Sequence, residues 1–233
     1  EILGIAGVDG NGQAELVEAI TGLRSAESGT VSLAGQDVTG DSRLERINEG
    51  MAYIPEDRQE RGLVMDFDLV ENGILGSQHS GRFGTGPRLD WSIARDHAED
   101  IVEEFDVRPG QTDVTAVSLS GGNQQKFIVG REFERDPRLM LATHPTRGVD
   151  VGSTEYIHDR LVELRSDGTG VLLVSSKLDE VQALSDRLAV MYEGELVAVV
   201  DPAAVTDEEL GLLMAGERPA NFEAADRSLE GTV

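Results

Sequence analysis

Short apolar runs alternate along this chain with longer stretches whose apolar residues recur every three or four positions. The runs read as strands and the stretches as helices. Strands are predicted at 1–6, 31–34, 51–54, 139–142 and 170–175, with a hairpin of 188–192 and 196–200 around the Glu193-Gly194 turn. Helices are predicted at 13–21, 43–49, 119–135 and 154–165. A further helix follows Asp90 as its N-cap. It sets Trp91, Ala94, Ala98, Ile101, Val102 and Phe105 on one face, read as core packing with Trp91 seated at the helix start. The glycine-rich stretch 76–88 reads as a loop, and the polar, acidic stretch 216–233 as a disordered tail. Alternation of strand and helix makes this an α/β domain. Its first strand reads as one entered part-way, in a piece of a longer chain.

Composition narrows the picture. The 233 residues are enough for one sizeable core, and 39% of them are hydrophobic. No apolar run approaches the roughly 18 residues that a spanning helix needs. The net charge is −24, from 44 acidic and 20 basic residues, and only Lys126 and Lys177 among the basic set are lysines. An acidic patch for a basic partner would give such a balance. So would a uniformly acidic, halophilic surface, and the spread of acids along the whole chain favours the latter. Either reading argues against a nucleic-acid partner, which needs a concentrated basic face. Cysteine is absent, which fits a cytosolic setting.

Four segments carry candidate chemistry. Gly7-Val8-Asp9-Gly10-Asn11-Gly12-Gln13-Ala14, between the first strand and first helix, has the frame of a phosphate-binding loop whose backbone amides converge on an anion. A purely structural turn would share that frame, because the lysine and hydroxyl of the motif are replaced by Gln13 and Ala14. Leu119-Ser120-Gly121-Gly122-Asn123-Gln124 opens a later helix with donors aimed at an anion; a plain capping turn is the alternative. Thr143-His144-Pro145-Thr146 ends an apolar strand, and a loop runs on through Arg147 and Gly148 to Asp150. Ser176 follows the strand at 170–175, and Glu56 lies in Pro55-Glu56-Asp57-Arg58. Arg147 reads as an organiser of its loop. His79, His97 and His158 lack ligand spacing, so no metal cluster is assigned.

In order and spacing, these segments resemble the ATP-binding-cassette family. Residues 1–200 are most similar to the second cassette of two-cassette importer subunits for simple sugars and nucleosides, with the purine-nucleoside branch favoured. The resemblance implies a RecA-like core, a β-subdomain truncated at its start, and a helical signature subdomain at about 65–135, within a cassette of 1–215. It implies a nucleotide loop at Gly7, Asp9, Gly10, Asn11, Gly12, Gln13 and Ala14, and a signature from Leu119 to Gln124. It puts Glu56 in the loop facing the membrane subunits and Asp150 in the loop that meets the partner cassette.

The departures from the family pattern are chemical. Gln13 replaces the phosphate lysine, Ala14 the magnesium hydroxyl, Thr143 the metal-orienting aspartate, His144 the general-base glutamate and Ser176 the switch histidine. Phosphoryl transfer depends on positioned charge, so a site without these groups is expected to be catalytically dead. ATP binding there is expected to be weak or absent, with Mg²⁺ arriving only alongside ATP. The intact signature would instead complete the ATP site of an N-terminal cassette of the same chain. The implied partners are that cassette and transmembrane permease subunits, at the cytoplasmic face of the membrane. Two other readings stay open: an independent soluble ATPase of the superfamily, and a binding-only pseudo-ATPase scaffold.

Overall fold

The computed structural model describes residues 1–84 and 88–219. The first strand, β1 (Ile2–Ala6), runs through the Gly-rich loop into α1 (Gln13–Thr21). A two-residue hairpin of β2 (Ser32–Leu33) and β3 (Gln36–Asp37) follows, then α2 (Arg43–Asn48) and β4 (Met51–Ile54). A single π-helical turn, Arg58–Gly62, leads to α3 (Leu69–Gly73), α4 (Trp91–Glu104) and α5 (Gly121–Phe133). The chain continues through β5 (Leu139–Thr143), α6 (Val151–Ser166), β6 (Gly170–Val174) and α7 (Leu178–Leu184). It ends with β7 (Arg187–Tyr192), β8 (Glu195–Val200) and α8 (Asp207–Met214).

Six strands form one sheet in the order β4-β5-β6-β1-β7-β8, parallel except for β8 at the edge. A parallel sheet covered on both faces needs apolar residues at consecutive positions. β4 meets that demand with four buried residues in a row. Alternate side chains enter opposite layers: Ala52 and Ile54 join Met140 and Leu173 on one face, while Met51 and Tyr53 join Leu141 and Leu172 on the other. β1 lies between β6 and β7, and its C-terminal end delivers the loop that starts at Gly7. Ligands of open α/β sheets gather at such an end.

Several expectations need correction. The strand expected at 31–34 shrinks to Ser32–Leu33, because Ala34 and Gly35 take positive φ and turn the chain back. The helix expected from 154 begins at Val151, since the Asp150 carboxylate accepts from the Ser153 amide and caps it earlier. Trp91 does not pack at the start of its helix; it is 51% exposed while Ala94, Ala98 and Ile101 carry that face. The stretch 76–88 has no regular element at its described positions, yet Phe83 within it is buried against Ala94 and Ala98. Of the expected tail, residues 220–233 lie outside the described residues.

Candidate nucleotide site and signature helix

The Gly-rich loop is built by glycine conformation and by the β7–β8 turn. Gly10 and Gly12 adopt φ of 88° and 106°, a region closed to most side chains. Gly12 caps α1 without any side-chain bond, which leaves the first helical amides turned toward the loop. The turn buttresses this shape: Glu193 N donates to Asn11 Oδ1 at 3.0 Å, and Gly194 N donates to the Asn11 carbonyl at 2.9 Å. A Cβ on Gly12 would meet Gly194 Cα at 2.9 Å. Gln13 folds back over the loop, its Nε2 donating to the Val8 carbonyl at 3.1 Å.

Beside the loop lies a cavity of about 220 Å³ lined by Gly7, Asp9, Gln13, Ala14, Glu56, Thr143, His144 and Ser176 among others. The sequence therefore folds its scattered departures into one place. His144 is held in the left-handed region at φ 49°, its backbone amide donating to the Val174 carbonyl at 2.7 Å. Its Nδ1 accepts from Ser176 N at 3.3 Å, and its Nε2 stands 3.9 Å from Glu56 Oε1. Arg147 is tied to that same Glu56 oxygen at 3.2 Å, an exposed pair that joins two loops.

The chemistry of this lining disagrees with a metal-held triphosphate. No lysine or arginine lines the cavity, and two carboxylates, Asp9 and Glu56, do. The Asp9 carboxylate repels polyphosphate there, while Glu56 is paired with Arg147 at 3.2 Å. The Thr143 hydroxyl is buried without a hydrogen-bond partner among the described residues, and Ala14 offers only a methyl where an oxygen ligand would hold magnesium. Backbone amides suited to an anion lie beside Gln13, Ala14, Thr143 and His144.

The signature segment stands apart: none of Leu119 to Gln124 lines that cavity. Ser120 is the exposed N-cap of α5, its Oγ accepting from Asn123 N at 3.4 Å and Nδ2 at 2.9 Å. Leu119 and Gln124 are buried, and Gln124 Nε2 donates to the Ala116 carbonyl at 3.0 Å. Asn123 Oδ1 accepts from Arg108 N. Close backbone approach sets the second of the two glycines. A Cβ on Gly121 would strike the Arg58 guanidinium, and one on Gly122 would lie 2.7 Å from the Gly148 carbonyl oxygen. Asp150 is held well below the usual carboxylate range by hydrogen bonds from Ser153, and then by Lys126.

Sequence reasoning missed a buried network behind the site. Glu180 accepts from Thr146 Oγ1 and Ser175 Oγ, and lies 2.8 Å from His158 Nε2. Burial pushes its carboxyl up, but those hydrogen bonds outweigh it and hold the group below its ordinary value. No local pattern announces this cluster, because its members come from α6, α7 and the loops after β5 and β6.

The family model described as "ABC transporter" matches residues 1–147. The chain belongs to the ABC transporter family. Among its relatives are the guanosine import ATP-binding protein NupO of Bacillus subtilis (strain 168), 47% identical over 93% of this chain and 42% of that protein. The glucose import ATP-binding protein TsgD13 of Haloferax volcanii is 45% identical over the whole of this chain and 43% of that protein. This ABC domain thus spans about two-fifths of the length of the curated relatives it matches. A solved dimeric ATP-binding cassette in a post-hydrolysis state, bound to ADP and Pi, shares the fold at TM-score 0.74 and 19% identity, over 87% of this chain and 85% of that one. Among the described residues, no helix of this ABC domain is long and apolar enough to cross a membrane.

Proposed function

We propose that this domain is the second, C-terminal cassette of an importer subunit for nucleosides or simple sugars, silent at its own nucleotide loop and active through its signature. The observation that carries the reading is a contrast within one domain. The cavity beside Gln13 and Thr143 holds two carboxylates and no cationic side chain, while Ser120 stands exposed at the head of an intact signature helix. Loss of the lysine alone removes a charge-assisted hydrogen bond worth about 1.5–3 kcal/mol. Loss of a general base lowers rate by about 10²–10⁴. Binding at the silent loop is therefore weak or absent, with magnesium present only alongside ATP.

In this account Ser120, Gly121 and Gly122 face the nucleotide of the preceding cassette, with Asp150 beside them, and Glu56 sits in the loop that meets the permease subunits. The names of the relatives, import ATP-binding proteins for guanosine and for glucose, support the cargo class and the peripheral place at the cytoplasmic face of the membrane. Partner domain, permease and cassette boundaries at 1–215 all belong to this proposal, as does a halophilic origin for the −24 charge. The test is Mg²⁺-dependent ATP turnover by the isolated domain at high salt. Background-level turnover is expected. Robust turnover that His144→Ala abolishes would overturn the silent-site reading and make His144 an unorthodox base.

A further inference from the structure

The silent pocket and the signature helix share one segment, the loop 144–150. One end carries His144, which lines the pocket; the other carries Asp150, the cap of α6. Two successive residues of α5 grip this loop. Gln125, 1% exposed, donates through Nε2 to the Pro145 carbonyl at 3.0 Å. Lys126, its side chain 9% exposed, reaches Asp150 Oδ2 at 3.2 Å, and also the Asp106 carbonyl at 3.4 Å and carboxylate at 3.8 Å. Between them, Gly122 rides against the Gly148 carbonyl so closely that no Cβ fits.

On its far side the loop is held from the N-cap of α7. Lys177 Nζ donates to Thr146 Oγ1 at 3.0 Å, and that hydroxyl donates to Glu180. Composition gives these contacts weight. The chain has two lysines against eighteen arginines, and both lysines land on this one loop. An ammonium largely removed from water is held by the oxygens it faces, so a shift of the signature helix against the loop costs it Asp150, the nearest of them, and leaves only the longer contacts to Asp106.

We propose that the loop 144–150 is a strut between the silent pocket and the signature helix, with Lys126 and Lys177 as its positioning residues. The strut sets the pose of Ser120 over the partner cassette's ATP. It gives the silent half a role in the reaction that needs no hydrolysis of its own. The inference rests on the trans-acting signature proposed above.

The test uses the full-length two-cassette subunit assembled with its permease in lipid nanodiscs, with turnover measured against ATP concentration. Lys126→Met and Asp150→Asn should each lower kcat/KM for ATP about fivefold or more, the usual scale of coupling between sites. The double variant should be no worse than the poorer single one, because both break the same link. Lys177→Met, at an exposed position, should move kcat/KM in the same direction and serves if Lys126→Met fails to fold. Unchanged kcat/KM in Lys126→Met and Lys177→Met, effects that add in the double variant, or losses that only follow a lowered melting temperature would overturn the strut. Ser120→Arg separates the two ideas. If it stops turnover while the lysine variants do not, the strut alone is wrong. If it leaves turnover intact, the trans-acting signature fails and the strut falls with it.

Discussion

A single cation added to the nucleotide loop should raise its affinity for ATP without giving turnover. In Gln13→Lys the new ammonium takes the place of the Gln13 amide, which lies over the loop and donates to the Val8 carbonyl. It would enter a cavity whose charged lining is Asp9 and Glu56, the latter paired with Arg147 outside that lining. A charge-assisted hydrogen bond contributes about 1.5–3 kcal/mol. At about 1.4 kcal/mol per decade, affinity for ATP should rise about 10- to 150-fold. Titration of a fluorescent ATP analogue into the isolated domain, wild type against variant, reads this directly. Turnover should stay at background, because Ala14 carries no hydroxyl and neither Thr143 nor His144 carries a carboxylate. An affinity gain below about threefold would refute the claim that missing charge limits binding. Turnover emerging in Gln13→Lys alone would refute the claim that the remaining departures silence the site.

Two further outcomes follow from buried charge. Glu132 accepts from Arg131 Nε at 2.9 Å, Arg135 Nε at 2.8 Å and the Tyr53 amide at 3.2 Å, deep between α5 and β4. Glu132→Ala strands two arginines and should destabilise the domain by about 3–5 kcal/mol, lowering the melting temperature by about 6–20 °C; a shift under about 2 °C would contradict that assignment. Burial, with Arg82 beside it, pushes the His97 imidazole down to about 4. The unfolded chain binds that proton from about pH 6.5 downward and the folded one refuses it, so stability falls as pH drops from about 6.5 toward 4. Chemical unfolding across that range should show a shallower slope in His97→Gln, and an unchanged slope would exclude His97 as its source.

Local signals predicted well and long-range ones did not. The turn from β1 into α1 was legible because glycines, an apolar strand and an amphipathic helix sit together within residues 2–21. The end of β5 and the start of α6 were less so: periodicity marks a helix by its apolar face, whereas Asp150 begins α6 by a cap. α8 carried a readable sign in its capping box of Thr206 and Glu209, and α7 offered no side-chain cap at all. α5 hides its burial. From Gln124 to Phe133 every residue is buried, yet half of that stretch is polar or charged, and only partners distant in sequence satisfy those groups. Trp91 misled in the opposite direction, since an aromatic at helical spacing was read as core and faces solvent. At the site, the identities of Gln13, Thr143, His144 and Ser176 were visible in the sequence. Their convergence with Glu56 in one cation-free cavity was not, because it depends on where β1, β5 and β6 end in the sheet.

The central claim is that this domain works through its signature and not through its own nucleotide loop. ATP turnover by the full-length subunit with its permease, comparing Thr143→Val with Ser120→Arg, tests it most directly. Thr143 Oγ1 has no hydrogen-bond partner among the described residues, so exchanging the hydroxyl for a methyl should leave turnover within about twofold. Ser120→Arg should lower it by about 10²–10³-fold, the scale of losing a donor aimed at transition-state charge. Turnover lost in Thr143→Val and retained in Ser120→Arg would contradict the account outright.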